Sequence, residues 1–302
     1  MIIVKLQGGA GNQMFQYAIG RNLALHYNTG LKLDTGTYSN NLAASGPENF
    51  NNIISTEKTT SRRYELDNFS IQAEIATENE IQLFRHQTNW LLRGRKFLTQ
   101  SKYITESNYR FNPDYLKFGS NCYLNGYWQS EQYFTGVSEV IRNEFQFTSS
   151  QDTANLKMEA LIKSSNSVSI HVRRGDYIHN PATVKFHGIC SDVYYRQAVK
   201  FVSEKVQFPH FFIFSDDMDW VQQNLALSHP VTFVNINDEN SAINDLRLMS
   251  RCQHHIIANS SFSWWSAWLN NYKDKIVVAP TKWFNDTSID TSTVLPDKWY
   301  KF

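Results

Sequence analysis

Cysteine is scarce in this chain. Its three copies, Cys122, Cys190 and Cys252, are widely spaced and odd in number, and no C-x-x-C pair occurs. That argues against a disulfide framework or a thiolate metal site and for a reducing compartment. A charge excess is missing as well: 29 Lys and Arg stand against 28 Asp and Glu. A nucleic-acid binder normally carries a basic surplus, so that class is set aside, while a local basic pocket stays open. Long apolar runs are absent too. The opening run 1–6 turns polar at Gln7, too short for a signal peptide or a membrane span, and no later stretch reaches 18 apolar residues. The expectation is a cytoplasmic protein with at most peripheral contact at the inner face of a membrane. Internal repeats and low-complexity tracts are lacking. With only 7 prolines and 13 glycines, little punctuation marks a domain boundary.

The 302 residues exceed one ordinary core and fit two domains of about 150 residues each, taken as 1–150 and 151–302. The N-terminal part begins as an α/β unit. A short β-rich run at 2–6 leads into the glycine-rich turn 7–13, a helical pattern at 14–27 and a second strand at 31–34. Residues 35–120 are less regular. The polar stretch 39–60 reads as loops or lids, and 89–98 as a solvated helix face. The run 123–128 reads as a strand ending near a site, and 151–155 as a linker. The C-terminal half alternates. Strand patterns fall at 168–172, 211–214, 231–234, 255–258 and 276–279, with helix patterns at 193–206, 218–225, 242–252 and 261–269. Such alternation predicts a doubly wound parallel sheet with right-handed crossovers.

Polar residues follow nearly every strand of that half: Arg173, Arg174 and Asp176; Ser215, Asp216 and Asp217; Asn235 and Asn237; Asn259, Ser260 and Ser261. Ligands of doubly wound sheets bind outside these carboxyl ends, so the series points to a nucleotide crevice. Alternation along 168–173 sends Arg173 and Arg174 to different sides. An arginine there can grip a diphosphate through paired N–H donors, or it can simply pair with Asp176. Ser260 and Ser261 stand where a strand turns into a helix, as an anion site or as ordinary N-caps. Asp216 or Asp217 could accept from guanine N1–H and N2–H, or cap the helix from Met218. Asp217-Met218-Asp219 also spells D-x-D, a weak metal signal, and with two arginines available the expectation is no metal. Trp264, Trp265 and Trp268 read as helix packing before they read as a sugar platform. Gly8-Gly9-x-Gly11 is an irregular dinucleotide fingerprint, with only Asp34 as its acidic partner. Asn12 and Gln13 could instead reach into a cleft between domains.

Four segments together resemble glycosyltransferase family 11, the bacterial α-1,2-fucosyltransferases. They are Gln7-Gly8-Gly9-Ala10-Gly11-Asn12-Gln13-Met14-Phe15-Gln16-Tyr17-Ala18, Tyr127-Trp128-Gln129-Ser130-Glu131-Gln132-Tyr133-Phe134, His171-Val172-Arg173-Arg174-Gly175-Asp176-Tyr177 and Ile257-Ala258-Asn259-Ser260-Ser261-Phe262-Ser263-Trp264-Trp265. The resemblance implies an α/β, GT-B-like fold of two Rossmann-like domains facing a cleft, acceptor side first and donor side second. It implies inverting transfer of L-fucose from GDP-fucose to the 2-hydroxyl of a galactose-terminated oligosaccharide, with no metal or other cofactor. By that likeness His171, Arg173 and Arg174 grip the diphosphate. Asn259, Ser260, Ser261, Phe262 and Ser263 line its phosphates, and Asp216 or Asp217 reads base or ribose. Asn12 approaches the fucose, and Arg173, Arg174, Asp176 and Asn12 form the catalytic set. The base for the acceptor hydroxyl is left between Asp176 and His171. Three other readings stay open: a fucosyltransferase of α-1,6-like linkage, a non-catalytic glycan-binding module, and an NAD(P)-dependent oxidoreductase resting on the glycine loop.

Overall fold

The structure is a computed structural model and describes residues 1–39, 62–85, 102–175 and 185–302. The chain divides into two compact units, Met1–Gln146 and Phe147–Phe302. Each is built on a sheet whose described strand pairs are all parallel.

The first unit runs β1 (Ile2–Lys5), α1 (Ala10–His26), β2 (Leu31–Asp34), α2 (Gly36–Ser39), β3 (Glu74–Ile75), α3 (Glu78–Arg85), β4 (Lys102–Thr105), β5 (Cys122–Asn125) and α4 (Ser138–Glu144). The sheet order is β3-β2-β1-β5-β4, so it reverses direction between β1 and β5. Ile3 and Tyr123 face α3 through Ile81 and Phe84. A buried polar knot ties α1 to α4. Arg21 Nη2 donates to Glu144 Oε1 at 2.7 Å, and the Tyr17 hydroxyl donates to Glu144 Oε2 at 2.5 Å.

The second unit runs α5 (Thr153–Lys163), β6 (Asn166–Val172), α6 (Asp192–Ser203), β7 (Pro209–Ser215), α7 (Met218–Asn224), β8 (Val231–Val234), α8 (Ile243–Arg251), β9 (His254–Ile256), α9 (Ser261–Leu269), β10 (Val277–Ala279) and β11 (Tyr300–Lys301). Its order is β11-β10-β9-β6-β7-β8, reversing between β6 and β9. Val168, Ile170, Val172, Phe211 and Ile213 pack with α6 and α7 through Tyr195, Ala198, Val202 and Val221. Phe212 and Phe214 pack on the opposite face with Ile162, Leu248 and Met249. The uninterrupted apolar run of β7 is therefore covered on both sides, as parallel strands require. The unit is doubly wound as the alternation predicts.

Several expectations shift. The helical pattern at 14–27 begins four residues earlier, at Ala10. The polar residues at 151–155 are no linker: Asp152 caps α5, accepting from the Asn155 amide at 2.8 Å, and Asn155 is fully buried. The same residue types serve linkers and N-caps, and only the buried partner tells them apart. The short strands β3, β4 and β11 carry too few residues for a period to show. The predicted loop stretch 39–60, Ser39 apart, and the helix face 89–98 lie outside the described residues. Among the described residues no helix is long and apolar enough to cross a membrane.

Candidate active site

The reversal between β6 and β9 is where a doubly wound sheet opens a ligand crevice, outside the strands' carboxyl ends. His171 lies at the end of β6, Arg173 and Arg174 follow it, and Asn259 to Ser261 follow β9. The pleat sorts the first group. Val172 turns toward α6 and α7, while the His171 ring lies 5.9 Å from Phe262 of α9. Arg173 Nη1 meets Asp216 Oδ2 at 2.9 Å. Arg174 goes to the opposite face, its guanidinium 3.8 Å from the Trp220 ring of α7 and its Nε 3.4 Å from Asp217 Oδ2. The two arginines thus have separate partners, as the alternation requires. The described carboxylates that pair with them are Asp216 and Asp217; Asp176 lies outside the described residues.

Those pairings change what the two aspartates offer. Asp217 spends one oxygen on Arg174 and the other on the Trp220 amide as N-cap of α7. Asp216 also accepts from the Arg174 amide at 2.8 Å. Each oxygen of the two carboxylates thus already has a partner, which a guanine edge would have to share. His171 is 7% exposed, and burial, helped by the charge of Arg173, holds its imidazole down to about 3. In the unliganded chain it is neutral, so it serves neither as a cationic grip nor as a strong base near pH 7. Its buried Nδ1 has no hydrogen-bond partner among the described residues.

On the β9 side the contributions also divide. The Asn259 side chain is buried, donating to the His187 and Trp283 carbonyls and accepting from the Cys190 thiol. It shapes the strand end and is not presented to a phosphate. Ser263 is wholly buried, its hydroxyl donating to the Ser260 carbonyl. Ser260 occupies the N-cap position of α9 yet makes no side-chain cap. The amides of Ser261, Phe262 and Ser263 therefore have no acceptor among the described residues; Ser261 and Phe262 are partly exposed, Ser263 is buried, and together they form the positive end of a helix. The capping alternative is not what the chain adopts. The three tryptophans of α9 are buried packing residues, Trp264 donating its indole N–H to the Val294 carbonyl.

One residue of the second unit escaped the sequence reading. Asp245 sits in the first turn of α8, at the same carboxyl edge of the sheet. Asn237 Nδ2 donates to its Oδ1 at 2.7 Å, and Asn237 and Asn155 exchange bonds at 2.9 and 3.1 Å. It has no cation partner among the described residues, and burial pushes its carboxyl up to about 7. In sequence it looks like one charge on an amphipathic helix; only the polar strand end at Asn237 hinted at its surroundings.

The glycine loop of the first unit is filled from within. Gly8 takes φ +79°, and α1 begins directly after Gly9, where a dinucleotide's pyrophosphate would sit. Glu65 Oε2 occupies that place, accepting the Ala10 amide at 3.0 Å. Asp34, the supposed ribose ligand, is 2% exposed and already accepts from the Tyr123 hydroxyl and the Gly36 amide. The oxidoreductase reading fails on both counts. Asn12 stands in the first turn of α1, its Oδ1 accepting from Gln129 Nε2 at 2.8 Å. That contact joins two of the four segments on which the family likeness was read.

The chain is 33% identical to an α-1,2-colitosyltransferase of Escherichia coli over 315 residues, covering 100% of this chain and 98% of that one. It is 34% identical to the O-antigen biosynthesis glycosyltransferase WbnK of Escherichia coli, covering 97% and 98%. A shorter match, 36% identical over 35% of this chain and 31% of the relative, is to galactoside α-(1,2)-fucosyltransferase 2 of Pongo pygmaeus. The model of glycosyl transferase family 11 matches residues 1–301. With that model spanning nearly the whole length and two full-length relatives above 30% identity, the chain belongs to glycosyl transferase family 11.

Proposed function

We propose that this glycosyltransferase moves L-fucose from GDP-fucose to the 2-hydroxyl of a terminal galactose on an oligosaccharide, inverting the anomeric centre and using no metal. The observation that carries the reading is the uncapped start of α9 beside the end of β6, with Arg173 on the His171 side. Unpaired helix amides and a guanidinium stand at the ends of neighbouring strands on one sheet edge. This is a place for two phosphates.

The chemistry follows from charge. The acceptor oxygen forms a bond to the fucose anomeric carbon as the bond to the β-phosphate oxygen breaks. The electron pair leaves with the GDP, and the acceptor's proton passes to a base or to solvent. Negative charge grows on the departing diphosphate. Arg173 and the α9 amides would meet it without reorganising, the arrangement worth most in a dry site. Neutral His171 would add one uncharged hydrogen bond through its open nitrogen. Arg174, braced on Trp220, holds the Asp216–Asp217 turn and so positions Arg173.

Asp245 is the carboxylate we assign to guanine. Its charged form can accept N1–H and N2–H together, and those donors are absent from adenine. Because its carboxyl sits at about 7, GDP affinity is expected to rise as pH climbs from 6 to 8, where the carboxylate becomes charged. Asp245→Asn should flatten that rise and weaken GDP by roughly 10- to 100-fold, the worth of hydrogen bonds to a charged group. Calorimetric titration at several pH values reads both effects; a flat wild-type profile removes Asp245 from the role.

Incubation with GDP-fucose and a panel of galactosides, with the linkage read by NMR, tests the reaction, and persistence of turnover in EDTA tests the absence of a metal. A 6-linked product moves the assignment to another linkage. No GDP binding at about millimolar concentration, far weaker than a substrate site needs, leaves only a glycan-binding module. The full-length likeness to a colitosyltransferase favours one second reading, a colitosyl donor in place of a fucosyl one. Competition between the two donors decides it.

A further inference from the structure

The first unit has its own reversal point, between β1 and β5, and its contents differ from those of the second. Glu106 follows β4 directly. Its Oε2 accepts the Tyr127 amide at 2.6 Å, and both its oxygens lie 3.1 Å from the Trp128 amide. Trp128 is fully buried at φ +56°, a strained conformation for so large a side chain. Gly126 makes room: a Cβ there would stand 2.5 Å from the Glu106 Cβ. The rings of Tyr109 and Tyr127 stack alongside, 5.8 Å apart at 14°.

Holding this turn does not require a charge. A glutamine oxygen could accept the same two amides. Yet the chain keeps a carboxylate here, largely desolvated, with no cation partner among the described residues. Burial pushes it up to about 7 against the pull of its two amide donors. Its titratable neighbours are the phenols of Tyr109, Tyr127 and Tyr133, all pushed up by burial first and then by neighbouring charges that include Glu106. A carboxylate offers about four acceptor positions, so Oε1 retains capacity. With Glu65 already filling the amide slot of the glycine loop, this edge repels phosphate. It suits a neutral ligand with hydroxyl donors on one face and C–H bonds on another.

We propose that Glu106, with the stacked rings of Tyr109 and Tyr127, forms a sugar subsite of the N-terminal unit that takes a neutral hexopyranoside, the acceptor sugar of the proposed transfer. The assignment rests on that reading of the function for its name as acceptor, though not for its sugar chemistry. Hydroxyls donate to Glu106, and the apolar face of the ring lies against tyrosine.

The test compares wild type with Glu106→Gln and Tyr109→Ala, using methyl β-galactoside as probe. Acceptor KM should rise about 10- to 100-fold in Glu106→Gln, from the loss of a charge-assisted hydrogen bond, while GDP affinity and melting temperature hold. Saturation-transfer NMR of the galactoside should lose its signal in both variants. An acceptor KM and NMR signal unchanged in both overturn the subsite. Parallel losses of GDP affinity, acceptor affinity and melting temperature in both variants also overturn it, since they reveal a purely structural turn. If wild type neither binds GDP nor transfers fucose, the functional reading fails separately, and direct galactoside binding still decides the subsite.

Discussion

Arg173→Ala is expected to lower fucosyl transfer about 10²–10³-fold while the chain stays folded, the usual cost of deleting one preorganised donor to a developing negative charge. The structure shifts the weight within the arginine pair. Arg173 lies on the side of His171 and close enough for its charge to depress that imidazole. Its ion pair with Asp216 is about four-fifths buried, but Asp216 keeps the Arg174 amide as a donor, so its loss should lower the melting temperature without unfolding the chain. Arg174 is braced between Trp220 and Asp217, and its alanine variant should show a lowered melting temperature together with its rate loss. Lysine at 173 should rescue only in part, since an ammonium lacks the forked donors that match a phosphate. Steady-state kinetics with melting curves separate these outcomes. If both alanine variants keep more than roughly a tenth of the wild-type rate, the diphosphate assignment is wrong.

A second large effect is expected far from any ligand. Arg21→Met should destabilise the N-terminal unit by about 3–5 kcal/mol, because it strands Glu144 in the interior beside Tyr17. The Glu144 side chain is 9% exposed and that of Arg21 is 19%, so water cannot substitute well for the lost partner. The Tyr17 phenol, pushed up by burial and by its bond to Glu144, stays a neutral donor and cannot offset the stranded charge. The double variant Arg21→Met with Glu144→Leu should regain part of the loss: two apolar groups replace a pair that was costly to bury, while the Tyr17 hydroxyl loses its acceptor. Urea unfolding followed by tryptophan fluorescence measures both. A loss below about 1 kcal/mol in the single variant would mean the pair behaves as a surface contact.

What the sequence reveals follows from what is local. The pleat of β6 predicts that Arg173 and Arg174 part company, and the step from β9 into α9 predicts a helix start led by serines, as an anion site or as N-caps. Both depend on neighbours in the chain. Other surroundings depend on distant partners. Asp216 and Asp217 look available until Arg173 and Arg174, each 43 residues away, pair with them. Asn259 looks like a phosphate ligand until carbonyls 72 and 24 residues away occupy its amide. Asp245 and Glu106 pass unnoticed because an isolated acidic residue ordinarily faces water, and nothing nearby in sequence says that the fold will bury it.

The carboxylate of Glu65 at the head of α1 has a wider consequence. Two units of similar architecture would, by symmetry of design, each offer a cradle for a nucleotide. A built-in anion makes one half decline what the other accepts. Saturation with GDP should therefore reach one equivalent per chain, and the duplicate scaffold is released to hold a different kind of molecule.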